Sequence, residues 1–275
     1  MKTVATPRLV SLFTACALLA AIAVSSAASA SGFDVFLSAP ASQSTIFTNT
    51  ITETFSGFTP GVYTSNLVAS VGTYQLTSST KLAVVANNQY GANTGNYVAL
   101  GAQSSSTAPV TLQLATGNSY FGFSWNAGDV NNELSFYNGS QMVGYYSTAT
   151  VTGLLKNPTV TALDGTTYTS SQYYGQPGTH LNSGEPYAFI NFIDSAGTFD
   201  KVVFGNSHTS GTGFESDNHT IRLTAPSAAN SFVFVGSATP EPGSVGLMIG
   251  LGISAGIFLK RRRVRRTGNA KSPTR

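Results

Sequence analysis

Between residues 31 and 238 no stretch carries apolar residues at helical spacing for three turns, and strand signals recur instead about every ten residues. A chain patterned this way cannot build a helix bundle or an alternating α/β sheet, and must bury its apolar positions between β-sheets. Residues 120–125, Tyr-Phe-Gly-Phe-Ser-Trp, are the densest aromatic run and suit a central strand covered on both faces, with Trp125 in the core. Residues 133–137 and 140–145 flank Asn138-Gly139, whose tolerance of positive φ predicts a type I′ hairpin. Residues 186–193 and 199–204 read as a second hairpin around Asp194-Ser195-Ala196-Gly197. Residues 96–100, 110–114 and 219–223 raise the strand count to at least eight. The fold expected is all-β, a two-sheet antiparallel sandwich of jelly-roll or lectin-like type. A parallel β-helix is the alternative, but no repeat of fixed period supports it. Residues 225–238 read as a last strand and spacer after a sandwich over 31–224.

The two ends carry a different signal. Lys2 and Arg8 precede an apolar run over residues 9–24, and Ala28-Ser29-Ala30 supplies the small residues a signal peptidase reads. Residues 1–30 are therefore expected to be a signal peptide with a helical apolar core. The only cysteine, Cys16, lies inside that run, so the mature chain would have neither disulfide nor thiol chemistry. At the other end Pro240-Glu241-Pro242 precedes an uncharged run over residues 243–259, then Lys260, Arg261, Arg262, Arg263, Arg265 and Arg266. Seventeen residues make a helix of about 26 Å, just short of a bilayer core of about 30 Å. The basic cluster would hold the last residues in the cytoplasm and place everything before Gly243 outside the inner membrane. Two prolines keep the preceding tripeptide extended and available to a processing enzyme. Residues 267–275 read as a disordered cytoplasmic tail.

This ordered trio over residues 239–266 resembles the PEP-CTERM sorting signal of Gram-negative bacteria, a tail sometimes labelled as the C-terminal domain of ice-binding proteins. The resemblance implies an exosortase-like enzyme as partner, passage through the inner membrane, and a final place at the cell surface or outside it. Residues 120–125 leading into Asp129, 134–139, 199–204 and 213–218 are similar to exosortase-dependent surface proteins of unassigned role. That setting is associated with exopolysaccharide and biofilm matrix, and implies a non-enzymatic polysaccharide-binding role. Structural or adhesive surface proteins and a glycan-active hydrolase are the alternatives.

Charge excludes one class. Over residues 31–238 four cations face ten carboxylates, a net charge of −6, whereas the whole chain is +3. The basic balance belongs to the tail and is no nucleic-acid signature. No zinc spacing joins His180, His208 and His219, and no nucleophile elbow is present, so no catalytic residues are expected. Glu133, Glu185 and Glu215 are the carboxylates available to a glycosidase pair. Asp129, Asn131, Asn132 and Glu133, with Glu215, Asp217 and Asn218, offer hard oxygens suited to a structural Ca²⁺ if the two loops meet at one end of the sandwich. Turn capping explains the same residues without a metal. Tyr173 and Tyr174, in a loop over residues 166–184, are candidates to stack on sugar rings.

Overall fold

The computed structural model describes residues 33–92, 94–206 and 212–222. The predicted signal peptide, the last strand, the sorting motif and the span over 243–259 lie outside these residues. No helix among the described residues is long and apolar enough to cross a membrane.

Sixteen strands are present among the described residues, numbered in chain order. The first sheet runs β1 (Phe33–Leu37), β14 (Ala188–Asp194), β9 (Tyr120–Asn126), β16 (Gly213–Arg222), β7 (Asn96–Gly101), β6 (Leu82–Ala86), β3 (Gly61–Tyr63), with β2 (Ile51–Glu53) also paired to β16. The second runs β11 (Gln141–Ser147), β10 (Asn132–Asn138), β15 (Phe199–Asn206), β8 (Val110–Asn118), β5 (Gly72–Gln75), β4 (Leu67–Ala69). A short hairpin joins β12 (Thr159–Thr161) to β13 (Thr167–Thr169), and one helical turn, α1 (Ala149–Leu154), follows β11. Every pairing is antiparallel and neither large sheet closes on itself. The molecule is all-β, in open antiparallel sheets arranged as a sandwich.

Alternation explains which faces meet. In β10 the buried residues are Asn132, Leu134 and Phe136, with half-buried residues between them, the period-2 pattern of a sheet solvated on one side. Phe121, Phe123, Trp125, Ile190, Phe192 and Phe214 of the first sheet interleave with Leu112, Leu134, Phe136, Val202 and Phe204 of the second. Phe123 stacks on Phe192 at 6.2 Å, and Phe136 approaches Phe192 at 5.0 Å. Every residue of β9 and β14 is buried, because loops pack on the outer face of the first sheet. There Phe36, Tyr120, Leu163 and Ile193 form a second small core against Phe47. The aromatic run over 120–125 is thus the central strand it was expected to be.

Two local expectations are corrected. In the hairpin between β10 and β11, Asn138 pairs with Gln141, and positive φ falls on Gly139 at 59° and not on Asn138. The loop is therefore Gly139-Ser140, not a type I′ turn centred on Asn138-Gly139. Residues 188–194 and 199–206 do not pair with each other. β14 belongs to the first sheet and β15 to the second, so the link between them crosses the sandwich. Asp194 shapes that crossing, its Oδ1 accepting from the backbone N–H groups of Ala196 and Gly197 at 3.0 and 2.8 Å.

Candidate functional site

Four neighbouring strands end together at one rim of the first sheet. Antiparallel pairing sets Glu215 opposite Asn126, Gly213 opposite Gly101, and Ala188 opposite Trp125. The ends of β9 and β7 therefore meet the starts of β16 and β14. Residues at these ends, together with Tyr90 from the connection between β6 and β7, line a cleft of about 410 Å³ that includes Gln103, Asp129, Glu185, Gly213 and Glu215.

Glu215 is the deepest of its three carboxyls, at 4% exposed. Gln103 donates its side-chain N–H to Glu215 Oε1. Gly213 makes room for this arrangement, since a Cβ there would stand 2.0 Å from Glu215 Oε1. Burial, with the charges of Asp129 and Glu185 adding to it, pushes the Glu215 carboxyl up to about 8 against the opposing hydrogen bond from Gln103. Glu185 is also raised, by burial and then by Asp129. At neutral pH Glu215 is thus a protonated donor beside two more exposed carboxyls.

Three buried polar atoms around this rim lack a hydrogen-bond partner among the described residues: Gln103 Oε1, Glu185 Oε2 and Asn126 Nδ2. Asn126 is 2% exposed, and its place directly across from Glu215 puts both side chains on the same face of the sheet. Leaving such groups unpaired costs about 1–3 kcal/mol each, so the rim is poised to accept a ligand carrying both donors and acceptors. Tyr90, 38% exposed, supplies an aromatic edge to the same cleft.

The predicted site residues divide. Asp129 and Glu215 do meet, across this cleft. Glu133 does not join them. It lies on β10, half-buried beside Tyr145, whose hydroxyl is raised above its ordinary range by burial and then by Glu133. Asn131 is half-buried in the turn that opens β10. Asp217 and Asn218 were read as a loop, but both lie inside β16 and are buried. Asn218 adopts φ 52° at a bulge, donating to Ser124 Oγ at 3.4 Å. Asp217 accepts from the N–H of Asn218 at 2.7 Å, and its charged neighbour is Glu53 rather than Asp129. The residues proposed for calcium are therefore not one coordination set, and among the described residues no three His, Cys, Asp or Glu side chains converge to hold a metal.

Tyr173 is corrected outright. It is 1% exposed and donates its hydroxyl to the Ser38 carbonyl at 2.9 Å, so it anchors a loop and presents no face to a sugar. The first part of the loop it was assigned to is β13 and a 3-10 turn, Ser170–Tyr173, whereas residues 175–184 are loop and turns as expected. Tyr174 is half-buried on a separate shallow depression with Pro158 and Ser171. Trp125 is fully buried, its Nε1 donating to Asn132 Oδ1 at 2.8 Å, and Asn132 in turn donates to the Gly213 carbonyl at 2.9 Å. Asn132 thus ties the core tryptophan to the strand that bears Glu215. His219 is also structural. Its Nδ1 faces Tyr74 Oη at 2.7 Å, its Nε2 faces Ser216 Oγ at 2.9 Å, and Phe204 stacks on its ring at 5.0 Å. The sequence reading missed Gln103, Asn126 and Tyr90, which stand in polar or strand contexts with no motif around them.

No protein-family model matches the chain, and no curated protein matches it. Among solved structures there is a likeness to the catalytic domain of a GH87 alpha-1,3-glucanase in complex with tetrasaccharides. It is 14% identical, with a TM-score of 0.23, over 73% of this chain and 30% of that one. The chain spans under a third of that protein, and so loose an overlap assigns neither fold nor activity.

Proposed function

We propose that this chain is an exported, PEP-CTERM-type surface protein whose lectin-like sandwich binds polysaccharide in the Glu215 cleft without chemically altering it. The carrying observation is the set of unmet buried groups on one rim: acceptors Gln103 Oε1 and Glu185 Oε2 on residues that line the cleft, and donor Asn126 Nδ2 on the residue paired with Glu215. A sugar ring offers hydroxyls that donate and accept together, whereas a bare anion only accepts and would be repelled by Asp129 and Glu185. Tyr90 at the cleft edge supplies the stacking surface such rings use. The sorting half of the proposal rests on Pro240-Glu241-Pro242, the apolar span over 243–259 and the basic stop from Lys260 to Arg266. Signal peptidase and an exosortase-like enzyme would act in turn, leaving the sandwich at the cell surface.

One observation favours a second reading, hydrolysis. Glu215 stays protonated at neutral pH beside Asp129 and Glu185, a division of roles that acid–base glycosidases use. A single experiment separates the two. The full chain in mild detergent is titrated with the producing cell's exopolysaccharide, with calcium and with EDTA, and the mixture is assayed for new reducing ends. Saturable binding without new reducing ends is expected. Loss of binding in EDTA would restore the calcium expectation, new reducing ends abolished by Glu215→Gln would establish the hydrolase, and absence of binding would remove the glycan reading.

A further inference from the structure

We propose that the depression around Tyr174 is a second sugar subsite adjoining the Glu215 cleft, so that one polysaccharide chain occupies both. The inference rests on the glycan reading of that cleft and extends it from a single site to a path along the molecule.

Chain geometry sets the two side by side. Glu185 lines the cleft and Ser183 lines the depression, and two residues of chain span at most about 7 Å. Gly175 N–H donates to the Glu185 carbonyl at 3.0 Å and Tyr187 N–H to the Tyr173 carbonyl at 2.7 Å, which pairs Tyr174 with Pro186. The Pro186 carbonyl points the other way, as alternate carbonyls of an extended segment do, and accepts from the Gly128 N–H at 2.9 Å. Gly128 immediately precedes Asp129 of the cleft. Residues 185–187 are thus a narrow partition, flanked by the cleft loop at Gly128 and by Tyr174.

The depression, of about 560 Å³, carries both kinds of surface that a sugar ring needs. Tyr174 is half-buried against the core and, with Pro158, gives the apolar patch on which the C–H face of a ring stacks. Asn157, Ser171 and Ser183 are exposed around it and offer donors and acceptors to hydroxyls. Ser170 also lines the depression at 4% exposed, and its Oγ is buried without a hydrogen-bond partner among the described residues. A buried hydroxyl left unmet in a native fold calls for a partner, and a sugar hydroxyl supplies one that donates and accepts.

The test is calorimetric titration of the full chain with size-graded fragments of the producing cell's exopolysaccharide, from disaccharides to octasaccharides. Octasaccharides are expected to bind about tenfold tighter than disaccharides, a difference of about 1.4 kcal/mol, because they engage both subsites at once. Tyr174→Ala is expected to erase that gain while leaving disaccharide affinity, which the Glu215 cleft sets, unchanged. Tyr174→Phe keeps the ring and is expected to keep the gain. Ser171→Leu fills the depression from an exposed position and makes the same distinction if Tyr174→Ala fails to fold. Affinity that does not change with length, or a length gain that survives both Tyr174→Ala and Ser171→Leu, would overturn the inference and leave the glycan reading standing. Failure of every fragment and of the intact exopolysaccharide would remove both.

Discussion

At the residue scale the cleft depends on positions with no chemistry of their own. Gly213 lacks a Cβ where one would stand 2.0 Å from Glu215 Oε1 and 2.6 Å from Gln103 Oε1. Gly213→Ala must therefore push the acid or its amide partner out of place, at a stability cost of about 1–3 kcal/mol. Glycan affinity is expected to fall further than with Glu215→Gln, which keeps the carboxyl's shape, and parallel melting and binding curves check this. Asn132 works at a distance through its bonds to Trp125 and Gly213. The acids Asp129 and Glu215 were legible in the sequence because carboxylates are few in this chain. Their partner Gln103 was not, since nothing local separates it from the other polar residues around it. Tyr173 misled for a similar reason: a Gly/Ser/Tyr-rich stretch looks exposed until its hydroxyl finds the Ser38 carbonyl, 135 positions away.

At the element scale, strands were legible where alternation or aromatic density was strong, and their partners were not. β14 and β15 are separated by a four-residue turn signal, yet each pairs within a different sheet. Sheet switching is decided by which apolar face must be covered, a tertiary quantity that neighbouring residues do not encode. β16 shows the converse effect. Glu215, Asp217 and Asn218 argue against a strand by propensity, but two flanking strands and covering loops impose one. The Asn-Gly signal placed the β10–β11 hairpin correctly and misjudged its turn by one residue. Because Gly139 holds φ 59° with nothing within 4 Å of a new Cβ, Gly139→Ala tests backbone strain alone. A loss of about 1 kcal/mol is expected by denaturant unfolding, and the aspartate or asparagine variant should cost less.

At the scale of the whole molecule, buried ionisable groups set the response to pH. Burial, more than any neighbouring charge, pushes Glu215 and Asp217 up to about 8 each, so the fold keeps two protons that the unfolded chain has released. Their contribution is full below about pH 4 and is lost as pH rises through 8. His219 acts in the opposite sense. Burial lowers it to about 3 from 6.5, so its contribution is full above 6.5 and lost as pH falls toward 3. Two groups outweigh one where the windows overlap, and above about pH 6.5 only the carboxyls act. The melting temperature is therefore expected to decline from about pH 5 to pH 8, most steeply in the upper part, and Asp217→Asn should flatten the decline. A stability maximum at pH 8 would contradict this placement of charge. The acidity of the body and the basicity of the tail were both plain in the sequence. That Asp129, Glu185 and Glu215 meet at one rim of one sheet was not, since it follows from the antiparallel order of four strands drawn from distant parts of the chain.

The central claim is that this rim binds sugar, and one comparison tests it most directly: calorimetric titration of the native exopolysaccharide into the full chain, its Tyr90→Ala variant and its Asn126→Ala variant. Saturable binding by the unaltered chain is predicted, weakened about tenfold or more by each substitution with little change in melting temperature for Tyr90→Ala. Unchanged affinity in both variants, or no binding at all, would contradict the account.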